Sequence, residues 1–241
     1  MADSNQWNPW HGCRRISAGC AHCYIFKMDA QYGRDTSKIA QTRSFGLPLQ
    51  KNRRGEYKLR TDDYVYTCFS SDFFIEEADR WRPEAWEMMR IRGDLRFFII
   101  TKRIHRFIEC LPADWGDGWD NVTICSTVEN QAMAGYRLPI FASCPVKHKE
   151  IICEPLLEKV DLSRWLNGIE GVTAGGESGP GARPCHYEWV AELREQCLRA
   201  DPKVPFWFKQ TGARFVKDGK AVYVPRRMQF AEAEKCRLDV E

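Results

Sequence analysis

At 241 residues, 44% hydrophobic and 29% charged, the chain can bury one substantial core, and its composition excludes global disorder. A formal net charge of +3 neither demands nor excludes a nucleic-acid partner. No run approaches the roughly 20 apolar residues of a membrane span, and the opening MADSNQWNPW lacks the basic and apolar regions of a secretory signal, so a cytoplasmic location is expected.

In chain order, short apolar runs alternate with polar and helix-like stretches. The first candidate strand is Gln6–Trp10, followed by Val65–Phe69, Leu95–Ile100, Val122–Cys125, Lys149–Cys153, Gly171–Ala174 and Pro205–Phe208. These runs are short and rich in β-branched or aromatic residues, as buried strands are. Helical candidates are Ile75–Arg92, interrupted by Pro83, then Ile104–Leu111 and His186–Arg199. The last carries Trp189, Val190, Leu193 and Cys197 on one face at helical spacing. Such alternation predicts an α/β fold with a parallel sheet, and seven strands suggest a partial TIM-like (β/α) barrel. Arg214–Val224 reads as a β-hairpin turning at Asp218-Gly219. The expected organisation is a barrel over 1–212 with a hairpin and tail, 213–241, packed on the same domain.

Each predicted strand ends in polar chemistry. In order the ends are His11-Gly12-Cys13, Ser70-Ser71-Asp72, Thr101-Lys102-Arg103, Ser126 to Asn130, Glu154, Gly175-Gly176-Glu177-Ser178 and Lys209-Gln210. In a parallel α/β barrel the carboxyl ends of the strands share one face, where active sites are built. Seven polar ends are therefore expected to form one ring of functional groups.

In a reducing compartment the eleven cysteines read as metal ligands or buried thiols rather than disulfides. Cys13, Cys20 and Cys23 follow the first strand with spacing C-x6-C-x2-C, and Ser17, Ala18 and Gly19 allow the tight turn between them. Three thiolates leave one iron of a [4Fe–4S] cluster open, which S-adenosylmethionine could chelate. The alternative is a zinc site completed by His11, His22 or His186, although a second C-x2-C or H-x3–5-H pair is missing nearby. Cys68, Cys110, Cys125, Cys144, Cys153 and Cys197 are expected to be core. Lys51–Arg60 holds five basic residues and one acid, a pattern that most often marks a solvated loop.

The segments WNPWHGC (7–13) and GCAHCY (19–24) resemble the cluster loop of radical SAM proteins related to spore photoproduct lyase. More closely, the chain resembles a phage-associated radical SAM family from residue 7 to about residue 212. The likeness runs through Thr101-Lys102-Arg103, Val128-Glu129-Asn130, Glu154-Pro155-Leu156, GGESGPGARP (175–184) and Phe208-Lys209-Gln210. The cysteine spacing is longer than the commonest C-x3-C-x2-C. The resemblance implies a radical SAM barrel with a [4Fe–4S] cluster on Cys13, Cys20 and Cys23 and S-adenosylmethionine across the barrel mouth. It implies that Gly175, Gly176, Glu177 and Ser178 meet the methionyl group, and that Ser126, Thr127 and Glu129 meet the ribose or methionyl group, with contact to the substrate as the alternative for Glu177 and for the Ser126, Thr127 and Glu129 set.

It further implies radical chemistry on a pyrimidine. The leading expectation is an isomerase that moves a glycyl substituent on thymine from nitrogen to carbon attachment during hypermodification of phage DNA, in the host cytoplasm. A lyase or repair enzyme acting on a damaged pyrimidine is the second reading, and a zinc-stabilised nucleic-acid-binding module without catalysis the third. Cys185 is a candidate hydrogen donor, with ordinary packing as its alternative. Glu154 and Lys102 are candidate catalytic groups, with a structural ion pair as the alternative for Glu154. Arg53, Arg54, Lys58 and Arg60 would contact DNA phosphates. Trp115 and Trp119 would either stack on a flipped base or pack within their loop. An electron donor such as flavodoxin or ferredoxin is the other implied partner.

Overall fold

The computed structural model describes residues 5–241. Its strands are β1 (Asn5–Trp7), β2 (Trp10–His11), β3 (Ala40–Gln41), β4 (Tyr64–Thr67), β5 (Arg96–Thr101) and β6 (Val122–Thr127). They continue with β7 (His148–Cys153), β8 (Gly171–Gly175), β9 (Cys185–His186), β10 (Phe206–Gln210), β11 (Arg214–Lys217) and β12 (Lys220–Tyr223). The helices are α1 (Tyr24–Gln31), α2 (Arg82–Ile91), α3 (Gln131–Ser143), α4 (Tyr187–Arg199) and α5 (Gln229–Glu234). Seven strands form one sheet in the order β1-β4-β5-β6-β7-β8-β10. The chain is thus α/β, as the alternation predicts. Among the described residues no helix is long and apolar enough to cross a membrane.

The chain divides into two compact units. The first runs to Arg14 and adds Ile25–Cys125 and Cys144–His148. Here β1, β4 and β5 pair in parallel, with Asn5 opposite Val65 and Val65 opposite Phe97. Alternate residues of β5, Phe97, Ile99 and Thr101, are buried, as one face of a pleated strand must be. Gln6–Trp10 is not one strand: β1 ends at Trp7 and β2 pairs instead with β3. The break at Asn8-Pro9 follows from proline, which cannot donate to a ladder. Ile75–Arg92 is a 3-10 turn followed by α2, with Pro83 in its first turn, where a missing N–H costs nothing. Ile104–Leu111 forms two 3-10 turns rather than an α-helix.

An aromatic cluster fills this unit. Trp86 of α2 meets Phe73, Phe74, Trp115 and Trp119 with ring centroids 4.8–6.4 Å apart. Trp115 is buried, also touches Phe107, and donates its Nε1–H to the Pro145 carbonyl at 2.6 Å. Packing therefore accounts for Trp115 and Trp119, and base stacking is not available to the buried Trp115.

The second unit comprises Arg15–Tyr24, Ser126–Ser143 and Lys149–Glu241. In it β7, β8 and β10 run parallel. Helix α4 buries Val190, Leu193, Gln196 and Cys197, close to the predicted face. The hairpin forms as predicted: β11 and β12 are antiparallel, and Asp218 and Gly219 both take positive φ, as a type I′ turn requires. It belongs to the second unit, where β11 also pairs with β9.

Candidate functional site

In the first unit the site begins at the residue before Cys13. Gly12 has φ +99°, and a Cβ there would lie 2.8 Å from the carbonyl oxygens of Thr36 and Lys38, so only glycine fits. Its N–H donates to Ser70 O at 3.1 Å, and that of Cys13 to Thr36 O at 2.8 Å. These bonds fix the start of the cysteine loop.

Below it lies a buried charged pair, Asp72 and Arg103, 3.4 Å apart. Asp72 accepts from Thr101 Oγ1 at 2.8 Å and from the backbone N–H groups of Phe74 and Lys102 at 3.0 and 2.9 Å. Arg103 donates to Arg14 O at 2.9 Å and brings Nη1 to 3.9 Å from Cys13 Sγ. Burial works against the Arg103 charge, but Asp72 and Cys13 outweigh it and the pKa is raised. A cation beside a sulfur favours the deprotonated form that ligates metals. Lys102 thus enters this arrangement through its backbone N–H, and Arg103, its neighbour in sequence, makes the side-chain contact to Cys13. The Thr101-Lys102-Arg103 strand end was the available signal.

In the second unit two carboxylates reach the segment around Cys20 and Cys23. Glu129, fully buried, accepts the Gly19 N–H at 3.1 Å on Oε1 and Arg137 Nη1 at 2.8 Å on Oε2. A Cβ on Gly19 would sit 3.0 Å from the Glu129 carboxyl carbon, so glycine gives this approach its room. Glu177, also buried, receives Arg183 Nη2 at 2.5 Å, Arg183 Nε at 3.0 Å, the Arg183 N–H at 2.9 Å and His22 Nδ1 at 2.9 Å. Burial alone would raise the Glu177 pKa, yet Arg183 and His22 outweigh it and hold the carboxyl below its ordinary value.

Ser126 Oγ and Thr127 Oγ1, at the end of β6, are buried without a hydrogen-bond partner. Arg137, which donates through Nη1 to Thr127 O at 2.8 Å, leaves its Nε unpartnered. Ser178 Oγ donates to Gln229 Oε1 at 2.6 Å. Gly175 lies against the Glu154 carboxylate, and a Cβ on Gly176 would overlap the Thr211 carbonyl oxygen. Glu154 itself pairs with Lys209 at 2.7 Å and accepts from Gln210 Nε2 at 2.5 Å, the structural ion pair foreseen as its alternative. Cys185 is fully buried and its thiol is pushed up to about 12 by burial.

Cys13, Cys20 and Cys23 fall within eleven residues of one another and none is in a disulfide, and cysteine sulfur is a donor for iron or zinc. Among the described residues no group of three or more His, Cys, Asp or Glu side chains stands in metal-binding geometry. The three histidines considered as zinc ligands have other contacts. His11 bonds Asp29 at 2.9 Å, His22 bonds Glu177, and His186 stacks on Trp189 at 4.2 Å.

Arg53, Arg54, Lys58 and Arg60 lie together on an exposed arch of the first unit. Asn52 closes it, its Oδ1 accepting the N–H groups of Arg54 and Glu56 at 2.8 and 3.1 Å. Buried Arg92 holds both feet, donating to Pro48 O at 2.6 Å and Leu59 O at 2.9 Å, with Tyr57 4.1 Å above its guanidinium.

No curated protein matches the chain, and no solved structure does. A family model described as "Protein of unknown function (DUF5131)" matches residues 2–235. That match takes in both units and every residue of the candidate site, and the chain belongs to the DUF5131 family.

Proposed function

We propose that the chain is a radical SAM enzyme of partial (β/α)-barrel type, in which Cys13, Cys20 and Cys23 hold a [4Fe–4S] cluster. The observation that carries the reading is the pair of buried hydroxyls, Ser126 and Thr127, left without partners at a strand end. An unsatisfied buried polar group costs about 1–3 kcal/mol, which a polar ligand in contact with it would offset. The ribose and methionyl groups of S-adenosylmethionine are such ligands. The three cysteines, none in a disulfide, would supply the donor set, and three ligands leave one iron open.

When bound, the cluster and S-adenosylmethionine supply a radical able to take hydrogen from an unactivated C–H bond. The protein's own part is to hold and orient. Arg103 sets a positive charge beside Cys13, while Glu129 and Glu177 fix the segment bearing Cys20 and Cys23. Ser126 and Thr127 are the groups free to bind the cofactor. The substrate proposed from the family resemblance is a glycyl-modified thymine in phage DNA, isomerised from nitrogen to carbon attachment. Arg53, Arg54, Lys58 and Arg60 would hold its phosphates, and a ferredoxin or flavodoxin would supply the electron.

Anaerobic reconstitution with iron and sulfide should give about four irons per chain and a brown protein. Alanine at any of the three cysteines should abolish that colour. Incubation with S-adenosylmethionine, dithionite and modified DNA should then yield a nucleoside of new retention and unchanged mass. A colourless protein that retains only zinc would overturn the enzyme reading in favour of a binding module, and a product of altered mass would replace the isomerase with a lyase.

A further inference from the structure

The C-terminal hairpin carries more than its place at a sheet edge requires. All four residues of β12 are exposed, so the strand buries neither face. Val222 and Tyr223 are 51% and 75% exposed. The segment Ala213–Met228 holds five basic residues and one acid. Lys217 lies over the Tyr187 ring at 4.6 Å, but Arg214, Lys220, Arg226 and Arg227 point from exposed positions. Among the described residues no carboxylate lies within ion-pair distance of those four. Elsewhere on the surface Arg90, Arg106 and Arg199 each hold a carboxylate. Arg214, Lys220, Arg226 and Arg227 are thus exposed cations outside any ion pair among the described residues.

Beside them opens a cleft of about 260 Å³ with a largely apolar lining. One wall is the turn Gly179-Pro180-Gly181-Ala182, and the other is Arg214 with Val222 and Tyr223 of the hairpin. Gly181 has φ +73° with open space around its Cα, so glycine serves the shape of the turn and not close packing. Apolar walls, an exposed ring, Arg214 at the cleft and further exposed cations on the same hairpin and the turn after it suit what a nucleic-acid strand presents, base faces that stack and phosphates to be neutralised.

We infer that the cleft between the 179–182 turn and the β11–β12 hairpin is a binding site for single-stranded nucleic acid. A base sits against Tyr223 and Val222, and Arg214, Lys220, Arg226 and Arg227 hold the flanking phosphates. The site lies wholly within the second unit. It goes beyond the radical reading and does not depend on it, because strand binding can be measured with or without iron.

The test is fluorescence anisotropy of a labelled oligothymidylate with the full chain at several salt concentrations. The wild type should bind at low salt and weaken as salt rises. Tyr223→Ala should weaken binding about fivefold or more, the loss of one stacked base. The double variant Arg226→Ala/Arg227→Ala should also flatten the slope of log K against log salt by about 1.4, the share of two phosphate contacts. All the altered side chains are exposed, and a circular-dichroism melt shows that the variants remain folded. Wild-type affinity in both variants overturns the inference, as does a protein with no affinity at low salt. It is equally overturned if the chain dimerises in sedimentation and Val222→Asp restores the monomer, because the hairpin would then be a protein interface.

Discussion

His22 Nδ1 and Glu177 Oε2 lie 2.9 Å apart, although 155 positions separate the two residues in sequence. His22 stands between Cys20 and Cys23, and Glu177 opens the turn of the GGESGPGARP motif. The contact makes Glu177 a positioning residue for the cysteine segment, with Arg183 on its other flank. Removing the carboxylate strands a guanidinium that now has a charged partner.

Glu177→Ala should therefore lower stability by about 2–3 kcal/mol, read from urea unfolding. The pH dependence has a definite sign. The folded carboxyl titrates below its ordinary value of 4.5, so its stabilisation is complete above that pH and fades as pH falls through the folded value. Glu177→Gln lacks the charge, so the stability gap between wild type and variant should shrink on acidification below about pH 4.5. A gap that stays constant through this range would contradict the assignment.

Arg103→Met should leave Asp72 as a buried carboxylate without its cation and cost about 3 kcal/mol or more. The double variant with Asp72→Asn should recover part of that loss, since neither remaining group carries an uncompensated charge. A double-mutant cycle measures the coupling, and additive losses would show that the two residues do not act as a pair.

The reach of the sequence can be judged from such residues. The strands were legible because aromatic and β-branched runs report burial directly, and the hairpin because Asp-Gly supports few other turns. Helix α3 was not, since Gly135 and Pro139 blur its periodicity and its buried arginine, Arg137, reads as a surface residue until Glu129 is placed beside it. Trp115 and Trp119 sit in a glycine-rich loop that looks exposed. Trp115 is buried against Trp86 and Phe107, and half-buried Trp119 leans on Trp86, contacts that form only in three dimensions. Glu129 and Glu177 stand at strand ends that the sequence picks out, but their contacts to Gly19 and His22 are long-range and leave no local pattern.

Two glycines of one motif should respond differently. Gly176→Ala would drive a Cβ into the Thr211 carbonyl oxygen, and both partners are backbone, so the loss should lie at or above the top of the usual 1–3 kcal/mol overpacking range. Gly181→Ala meets open space and carries only the cost of positive φ, about 1 kcal/mol. Thermal melts of the two variants decide, and equal losses would refute the distinction.

Thiol chemistry separates the cysteines by burial. Cys185 and Cys197 are buried, with pKa values pushed up to about 12, and should resist iodoacetamide in the folded protein. Cys13 and Cys23 are partly exposed and should be alkylated in metal-free protein, then protected after reconstitution with iron and sulfide. Mass mapping of the modified peptides reads both outcomes at once. Labelling of Cys13 and Cys23 that is unchanged by reconstitution would count against the cluster.

Arg92 anchors both feet of the 51–60 arch from beneath, using no atom of Arg53, Arg54 or Arg60. The backbone of that arch is consequently insulated from its outward side chains. Mutation there can raise, lower or invert local charge while the scaffold persists, so relatives can diverge in surface charge at these positions without relearning how to fold.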